Sequence, residues 1–218
     1  MTMKLNYFNV RGLAETSRIL LAISGEDYED FRYPLNVIDM ATYQMTKDEF
    51  DKDKEDGKLV KSMNKVPFLE VDGVIIPQSK TIERFLARRF NMMGTTEIES
   101  AQIDAICECV RDIKDMYQKV RGLPDEEKES GMNKWFTETL VERLTLLENQ
   151  LGTNGFSVGD CTSLSDVALF SFITQFFDNK EASYNATLAT PNLRLIVERV
   201  SKLEAVTTWL ETRPKTDF

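Results

Sequence analysis

The sequence predicts a small α/β domain followed by an all-helical domain. Three observations carry this expectation. Up to Phe90, short strand-like runs alternate with helical periods. After Glu97, every ordered stretch repeats at helical spacing. Between them "NMMGTTE", Asn91–Glu97, reads as a linker. The expected domains are therefore residues 1–90 and 91–218.

"MKLNYF", Met3–Phe8, is the first strand candidate. "GLAETSRILLAISGED", Gly12–Asp27, has helical spacing through Leu13, Ser17, Leu20 and Leu21, with Gly25 as its stop. "YEDFRY", Tyr28–Tyr33, alternates weakly and suits a strand. Residues 35–64 differ: "TKDEFDKDKEDGK", Thr46–Lys58, is a mixed charge run, expected to be a solvated loop or short surface helix. In "VPFLEVDGVIIPQS", Val66–Ser79, two apolar runs flank Asp72-Gly73, a strong hairpin signal. Ser79 is placed to cap "KTIERFLARRF", whose Ile82, Phe85 and Leu86 share a face. The first domain is thus βαβ followed by ββα. In the second, helices are expected over Glu97–Arg121, Asp125–Leu151, Ser163–Phe177, Pro191–Ser201 and Lys202–Thr212. Breaks fall at "RGLPDEE", "GTNGFSVGDCTS" and "NKEASYNATLATP".

Composition narrows the function. The chain has 218 residues, 27 basic against 36 acidic, for a net charge of −9. General electrostatic binding to nucleic acid or an anionic membrane is not expected. No apolar run approaches the roughly 20 residues that span a bilayer. The three cysteines, Cys107, Cys109 and Cys161, form no redox pair and point to a reducing compartment, hence a cytoplasmic protein. Cys107 and Cys109 stand two apart on a helix and face different ways, so all three read as structural. There is no histidine. Acid–base chemistry must run through Tyr, Lys, Asp, Glu, Cys or the substrate itself.

Two motifs suggest chemistry, and a third suggests a structural role. Lys65-Val66-Pro67 opens a strand that should be central, where proline forfeits a ladder hydrogen bond. A cis Val66–Pro67 peptide would turn the Val66 N–H and C=O outward, able to pair with a peptide-like ligand; an ordinary trans proline at a strand edge is the alternative. Gln78 and Ser79 stand at a helix N-terminus, where free N–H groups and the helix dipole suit a carboxylate, or Ser79 merely caps its own helix. "SLSDVALF", Ser163–Phe170, has the Ser-x-x-Asp capping pattern, and a structural role is expected.

With these motifs in order, the chain resembles a cytosolic glutathione transferase, and within that family the sigma class, which includes haematopoietic-type prostaglandin D synthases. "YFNVRGLAE" resembles the family's tyrosine-containing start, "KVPFLEVDG" and "PQS" its glutathione site, "SLSDVALF" its capping box, and "TPNLRLIVERVSKLEAVTTWLETRP" its last helices. The resemblance covers nearly the whole chain. It implies a thioredoxin-like first domain, a homodimer, glutathione as cosubstrate, and small hydrophobic electrophiles as second substrates. It implies that Tyr7 donates a hydrogen bond to the glutathione sulfur and favours the thiolate. The alternative for Tyr7 is a strand-end tyrosine that simply packs. Arg11 would tune Tyr7 or brace its loop. Lys65 would approach the glycyl end, and Val66 beside Pro67 would pair with the cysteinyl part. Gln78 and Ser79 would hold the γ-glutamyl carboxylate, and Asp112 would reach the γ-glutamyl amine across the dimer. Phe8, Val10, Leu13, Lys114, Tyr117 and Phe218 would line an electrophile site between the domains.

The chain departs from the sigma pattern at three places. Leu13 stands where many members have Arg. The usual Trp and a Lys four residues later are missing from their aligned place, with Phe50 and Lys54 at the same spacing as substitutes. Arg111 stands where the prostaglandin synthases carry a metal-binding acid, so no divalent metal is expected. The resemblance implies a transferase that conjugates glutathione to electrophiles, a role in detoxification. A glutathione-dependent isomerase and a non-catalytic relative of the S-crystallin kind are the alternatives.

Overall fold

A computed structural model describes residues 1–39 and 44–216. The chain divides into two compact units, Met1–Leu86 with the segment from Glu211 onward, and Ala87–Leu210.

In the first unit, β1 (Met3–Phe8) leads through a 3₁₀ turn at Gly12–Ala14 into α1 (Glu15–Ser24). Gly25 ends α1 in left-handed backbone at φ +68°, as its expected stop role requires. Next come β2 (Glu29–Tyr33), β3 (Asn36–Asp39), β4 (Gln44–Thr46), α2 (Asp48–Glu55) and a 3₁₀ turn at Val60–Ser62. The hairpin β5 (Phe68–Val71) and β6 (Val74–Pro77) then leads into α3 (Ser79–Arg89). The four-stranded sheet runs β2-β1-β5-β6. β1 is parallel to β2 and antiparallel to β5, and β5 is antiparallel to β6. This mixed sheet with its helices is the thioredoxin-like fold.

Within residues 35–64 the charge run forms the short surface helix expected of it, α2; not expected are the two-stranded sheet of β3 and β4 and the burial of Phe50 and Leu59 against Tyr33 and Phe68. Phe50 and Leu59 fasten the run Lys47–Lys58, whose other residues are charged except Gly57, so its average polarity hid these anchors. Helix α3 starts at Ser79, with Ile82 N–H bonded to the Gln78 carbonyl at 3.0 Å, so Gln78 is the cap position and Ser79 the first helical residue. Leu13, expected on the buried face of α1, is 55 % exposed, because the helix proper begins at Glu15.

The second unit comprises α4 (Glu97–Arg121), α5 (Asp125–Lys134), α6 (Leu140–Glu148), α7 (Leu164–Ser171), α8 (Lys180–Asn185), α9 (Pro191–Ser201) and α10 (Glu204–Thr212), whose end joins the first unit. Helices expected over Asp125–Leu151 and Ser163–Phe177 carry π segments at Trp135–Thr139 and Phe172–Phe176. Helix α8 lies in a stretch expected to be a break, and α10 begins two residues after Lys202. The Asn91–Glu97 linker is anchored: Met92 and Met93 are buried, and the Met92 carbonyl accepts the Leu164 N–H at 2.9 Å. The core of this unit gathers Ile106, Val110, Trp135, Leu144, Phe172 and Phe177, among others.

Candidate active site

Three sequence-distant motifs meet at one end of the sheet, and strand register puts them there. β1 pairs with β5 from Met3↔Val71 to Asn6↔Phe68. One step further sets Tyr7 level with Pro67, and Phe8 level with Val66. Because β5 and β6 are antiparallel with Phe68↔Pro77, Gln78 emerges at the same end. The Val66–Pro67 peptide is cis. Val66 precedes the first ladder pair of β5, which lies at Phe68. Gln78 holds φ at +75°, a region that costs a non-glycine residue about 1–3 kcal/mol and that concentrates at functional sites.

Tyr7 is buried, and its hydroxyl oxygen accepts the Leu13 backbone N–H at 3.1 Å. That occupies one lone pair and leaves the phenolic proton to point elsewhere. Burial pushes the phenol above its ordinary value; the Leu13 N–H and the Arg18 charge offset part of this. Tyr7 therefore keeps its proton at neutral pH and is a hydrogen-bond donor rather than a base.

The turn that delivers Leu13 to Tyr7 is fixed from below by Arg18, whose side chain is fully buried. Its Nη1 donates to the Val10 carbonyl at 2.6 Å and, more weakly, to the Arg11 carbonyl at 3.5 Å. Its Nε pairs with Asp30 at 3.1 Å, and its guanidinium lies 5.9 Å from the Tyr7 ring centre. Sequence reading missed Arg18. The signal was there: a Glu15-x-x-Arg18 pair inside a run that the structure buries from Glu15 through Leu21.

Gly12 matters for two reasons at once. Its φ is +40°, and a Cβ there would stand 2.6 Å from the Tyr7 hydroxyl and 3.0 Å from its ring edge. Only glycine lets the turn close over the phenol. Gly12→Ala is expected to lower turnover roughly 10- to 100-fold, since a small misplacement of a reacting group can cost that much. Steady-state kinetics on folded protein check this; a native kcat would show that the phenol tolerates displacement.

The other expected site residues belong to both units. Arg11 is half-buried at the turn. Phe8 packs its ring on Tyr7, Tyr33 and Phe50 at 5.6, 6.3 and 5.2 Å. Val10 is buried. Phe50 is 5 % exposed and belongs to the core of the first unit, while Lys54, one turn on, is exposed. Lys65 is exposed just before the cis peptide. In the second unit, Tyr117 is buried against Trp135, Phe136, Phe176 and Phe177. Lys114 lies over Phe176 at 4.8 Å. Asp112 is exposed and pairs with Arg111 at 3.3 Å; Arg111 also pairs with Glu108 at 2.6 Å. Phe218 lies outside the described residues. Cys107 is buried, so packing explains it, whereas Cys109 and Cys161 are exposed. Among the described residues no helix is long and apolar enough to cross a membrane.

A thioredoxin-like sheet whose one end gathers a proton-keeping tyrosine, a cis-proline and a helix start is the arrangement of a glutathione-binding enzyme. Residues 3–88 match the glutathione S-transferase N-terminal domain, and residues 111–213 match the glutathione S-transferase C-terminal domain. The chain belongs to the glutathione S-transferase family and is a glutathione S-transferase, with glutathione as cosubstrate. It is 35 % identical to a hematopoietic prostaglandin D synthase of Gallus gallus, over 98 % of this chain and 97 % of that protein. It is 31 % identical to the probable glutathione S-transferase 5 of Caenorhabditis elegans, over 99 % and 98 %. Among solved structures, rat hPGDS complexed with a quinoline superposes with a TM-score of 0.80 at 26 % identity, covering 100 % of both chains. The monomeric Na-GST-3 of the hookworm Necator americanus gives 0.81 at 27 %, also over 100 % of both.

Proposed function

We propose that the enzyme activates glutathione as its thiolate through Tyr7 and adds it to small hydrophobic electrophiles, in a sigma-like detoxifying role in the cytoplasm. The observation that carries the reading is the Tyr7 hydroxyl. It is protonated, accepts from Leu13 N–H, and so has its own proton to give. A bond already accepted by that oxygen polarises the O–H and makes it a better donor. A hydrogen bond to the sulfur anion lowers the thiol's pKa without any histidine.

In this reading Val66 pairs its backbone with the cysteinyl part, beside Pro67. Gln78 and Ser79 hold the γ-glutamyl carboxylate at the start of α3, and Lys65 approaches the glycyl carboxylate, with Lys54 a second cation for the same end. The burial of Phe50 argues for a packing role there rather than contact with glutathione. Ser79→Ala should raise KM for glutathione about tenfold, as loss of one bond to a charged group predicts, with kcat little changed. Initial rates over a glutathione series test it, and an unchanged KM would remove Ser79 from the site.

Within the first unit we assign contact with the second substrate to the apolar residues Phe8, Val10 and Leu13. Leu13 is the most exposed apolar member of the turn beside Tyr7, which supports its contact with substrate. The deep aromatic packing of Tyr117 supports a structural role instead.

A homodimer would bring Asp112 to the γ-glutamyl amine of the neighbouring subunit. Asp112 and the exposed Leu146 flank an apolar groove between α4 and α6, with Cys109 and Met116 in its walls, which supports burial by a second copy. Sedimentation equilibrium decides: a monomer at micromolar concentration removes Asp112 from the site.

The second reading is isomerisation with glutathione regenerated. The 35 % identity to a hematopoietic prostaglandin D synthase favours it. A product assay separates the two. Incubation with a chromogenic aryl halide is expected to consume thiol and yield a conjugate. Isomerised prostaglandin endoperoxide with glutathione unchanged, and no conjugate from the aryl halide, would overturn the conjugation reading. A protein inert in both assays would be the non-catalytic relative.

A further inference from the structure

The segment that follows α10 belongs to the first unit, and one of its side chains enters the charge network beneath Tyr7. Arg213 Nη1 pairs with Oε1 of Glu15, the first residue of α1. Glu15 is 2 % exposed, and its other oxygen stands 3.8 Å from Arg18 Nη1. That same nitrogen donates to the Val10 and Arg11 carbonyls that hold the Tyr7 turn.

We propose that Arg213 is a positioning residue for the reaction: by neutralising Glu15 it leaves Arg18 bonded to the turn that sets Leu13 and Gly12 against Tyr7. The inference rests on the reading of Tyr7 as donor to the glutathione thiolate. Its physical basis is a competition for one guanidinium. A buried carboxylate stripped of its close cation is more costly than a single carbonyl bond. Without Arg213, Glu15 draws Arg18 across the short remaining gap, and the Val10 and Arg11 carbonyls lose their donor. The turn then relaxes, and the phenol no longer meets the sulfur squarely. A residue that follows α10 thereby tunes the turn that holds Tyr7.

Charge, rather than bulk, makes this distinguishable from packing. In aryl halide conjugation, Arg213→Gln is expected to lower kcat roughly tenfold, within the loss that a small displacement can cause. Ultraviolet titration of bound glutathione should show its thiol ionising at higher pH, with KM for glutathione unchanged. Arg213→Lys should recover most of the rate. Adding Glu15→Gln to Arg213→Gln should also recover it, because a neutral amide in place of the Glu15 carboxylate has no claim on Arg18. That double variant keeps the test decidable if Arg213→Gln alone does not fold: native-like kcat supports the proposal, and a persisting tenfold deficit overturns it. A native kcat and thiol titration in Arg213→Gln overturns it as well. Tyr7→Phe run alongside separates the two levels. If Tyr7→Phe is impaired and Arg213→Gln is not, the brace alone fails. If Tyr7→Phe keeps native rates, the donor role fails and the brace with it.

Discussion

Tyr7→Phe is expected to lose about 10- to 150-fold in turnover while still binding glutathione. The figure follows from the interaction removed: a hydrogen bond to a charged group is worth about 1.5–3 kcal/mol, and each 1.4 kcal/mol is a factor of ten in rate. The loss falls on kcat because the bond matters most when sulfur is anionic. The tripeptide's other proposed anchors, Val66, Gln78 and Ser79, are untouched, so KM should move little. The pH dependence gives a second check with a definite sign. In the proposed role the phenol lowers the thiol's pKa, so its removal should raise it. The rate deficit is therefore largest at low pH, where the native protein already holds thiolate and the variant does not. It narrows as pH rises through the variant's own thiol pKa. A deficit equal at all pH values would mean that Tyr7 acts on some step other than ionisation. Folding should be nearly unaffected: only one oxygen leaves, and the Leu13 N–H it strands sits in a half-open turn beside an exposed side chain.

The legible parts of this site were those with a local signature. Tyr7 closes a strand whose alternation ends at Phe8, and the Asp72-Gly73 turn fixes the β5–β6 register that carries Gln78 to the same sheet end. Such motifs announce themselves because strand period and turn chemistry are short-range properties. The illegible parts are long-range. Arg18 and Glu15 occupy helix positions where charge ordinarily marks the solvent face, and only the packing of α1 shows them buried. Arg213 is 198 residues from Glu15. Residues 35–64 were obscured for another reason. Phe50 and Leu59 are two apolar anchors in a run of charges, too far apart to set a period. In α5–α6 and α7, the π segments shift the apolar face part-way, which breaks a single helical phase without breaking the helix.

Asp166→Ala carries the largest expected effect on stability. Asp166 is the fourth residue of the capping pattern read at Ser163, and it does more than cap. One carboxylate oxygen accepts the Ser157 N–H at 2.7 Å; the other accepts the Ser163 N–H at 2.8 Å and the Ser163 hydroxyl at 3.1 Å. Arg199, from α9, completes the shell at 3.2 Å. Asp166, Ser157 and Ser163 are at most 2 % exposed, whereas the Arg199 side chain is 22 % exposed. Truncation to alanine strands two backbone donors where water does not reach them and takes the carboxylate from a part-exposed Arg199, whose guanidinium still donates to Gly155 and Thr162. Removing one partner of a buried ion pair costs about 3–5 kcal/mol, well above the roughly 1 kcal/mol of an ordinary helix cap. At about 2–4 °C per kcal/mol for a chain of this size, the melting temperature should fall by about 6–20 °C. Removing both charges should cost less than removing one. Asp166→Ala with Arg199→Met leaves no cation without its carboxylate, so it should recover part of the loss that Asp166→Ala shows alone. A melting temperature within about 2 °C of native in Asp166→Ala, less than the shift of a single kcal/mol, would show that the serines find other acceptors and that the carboxylate is not the keystone of α7.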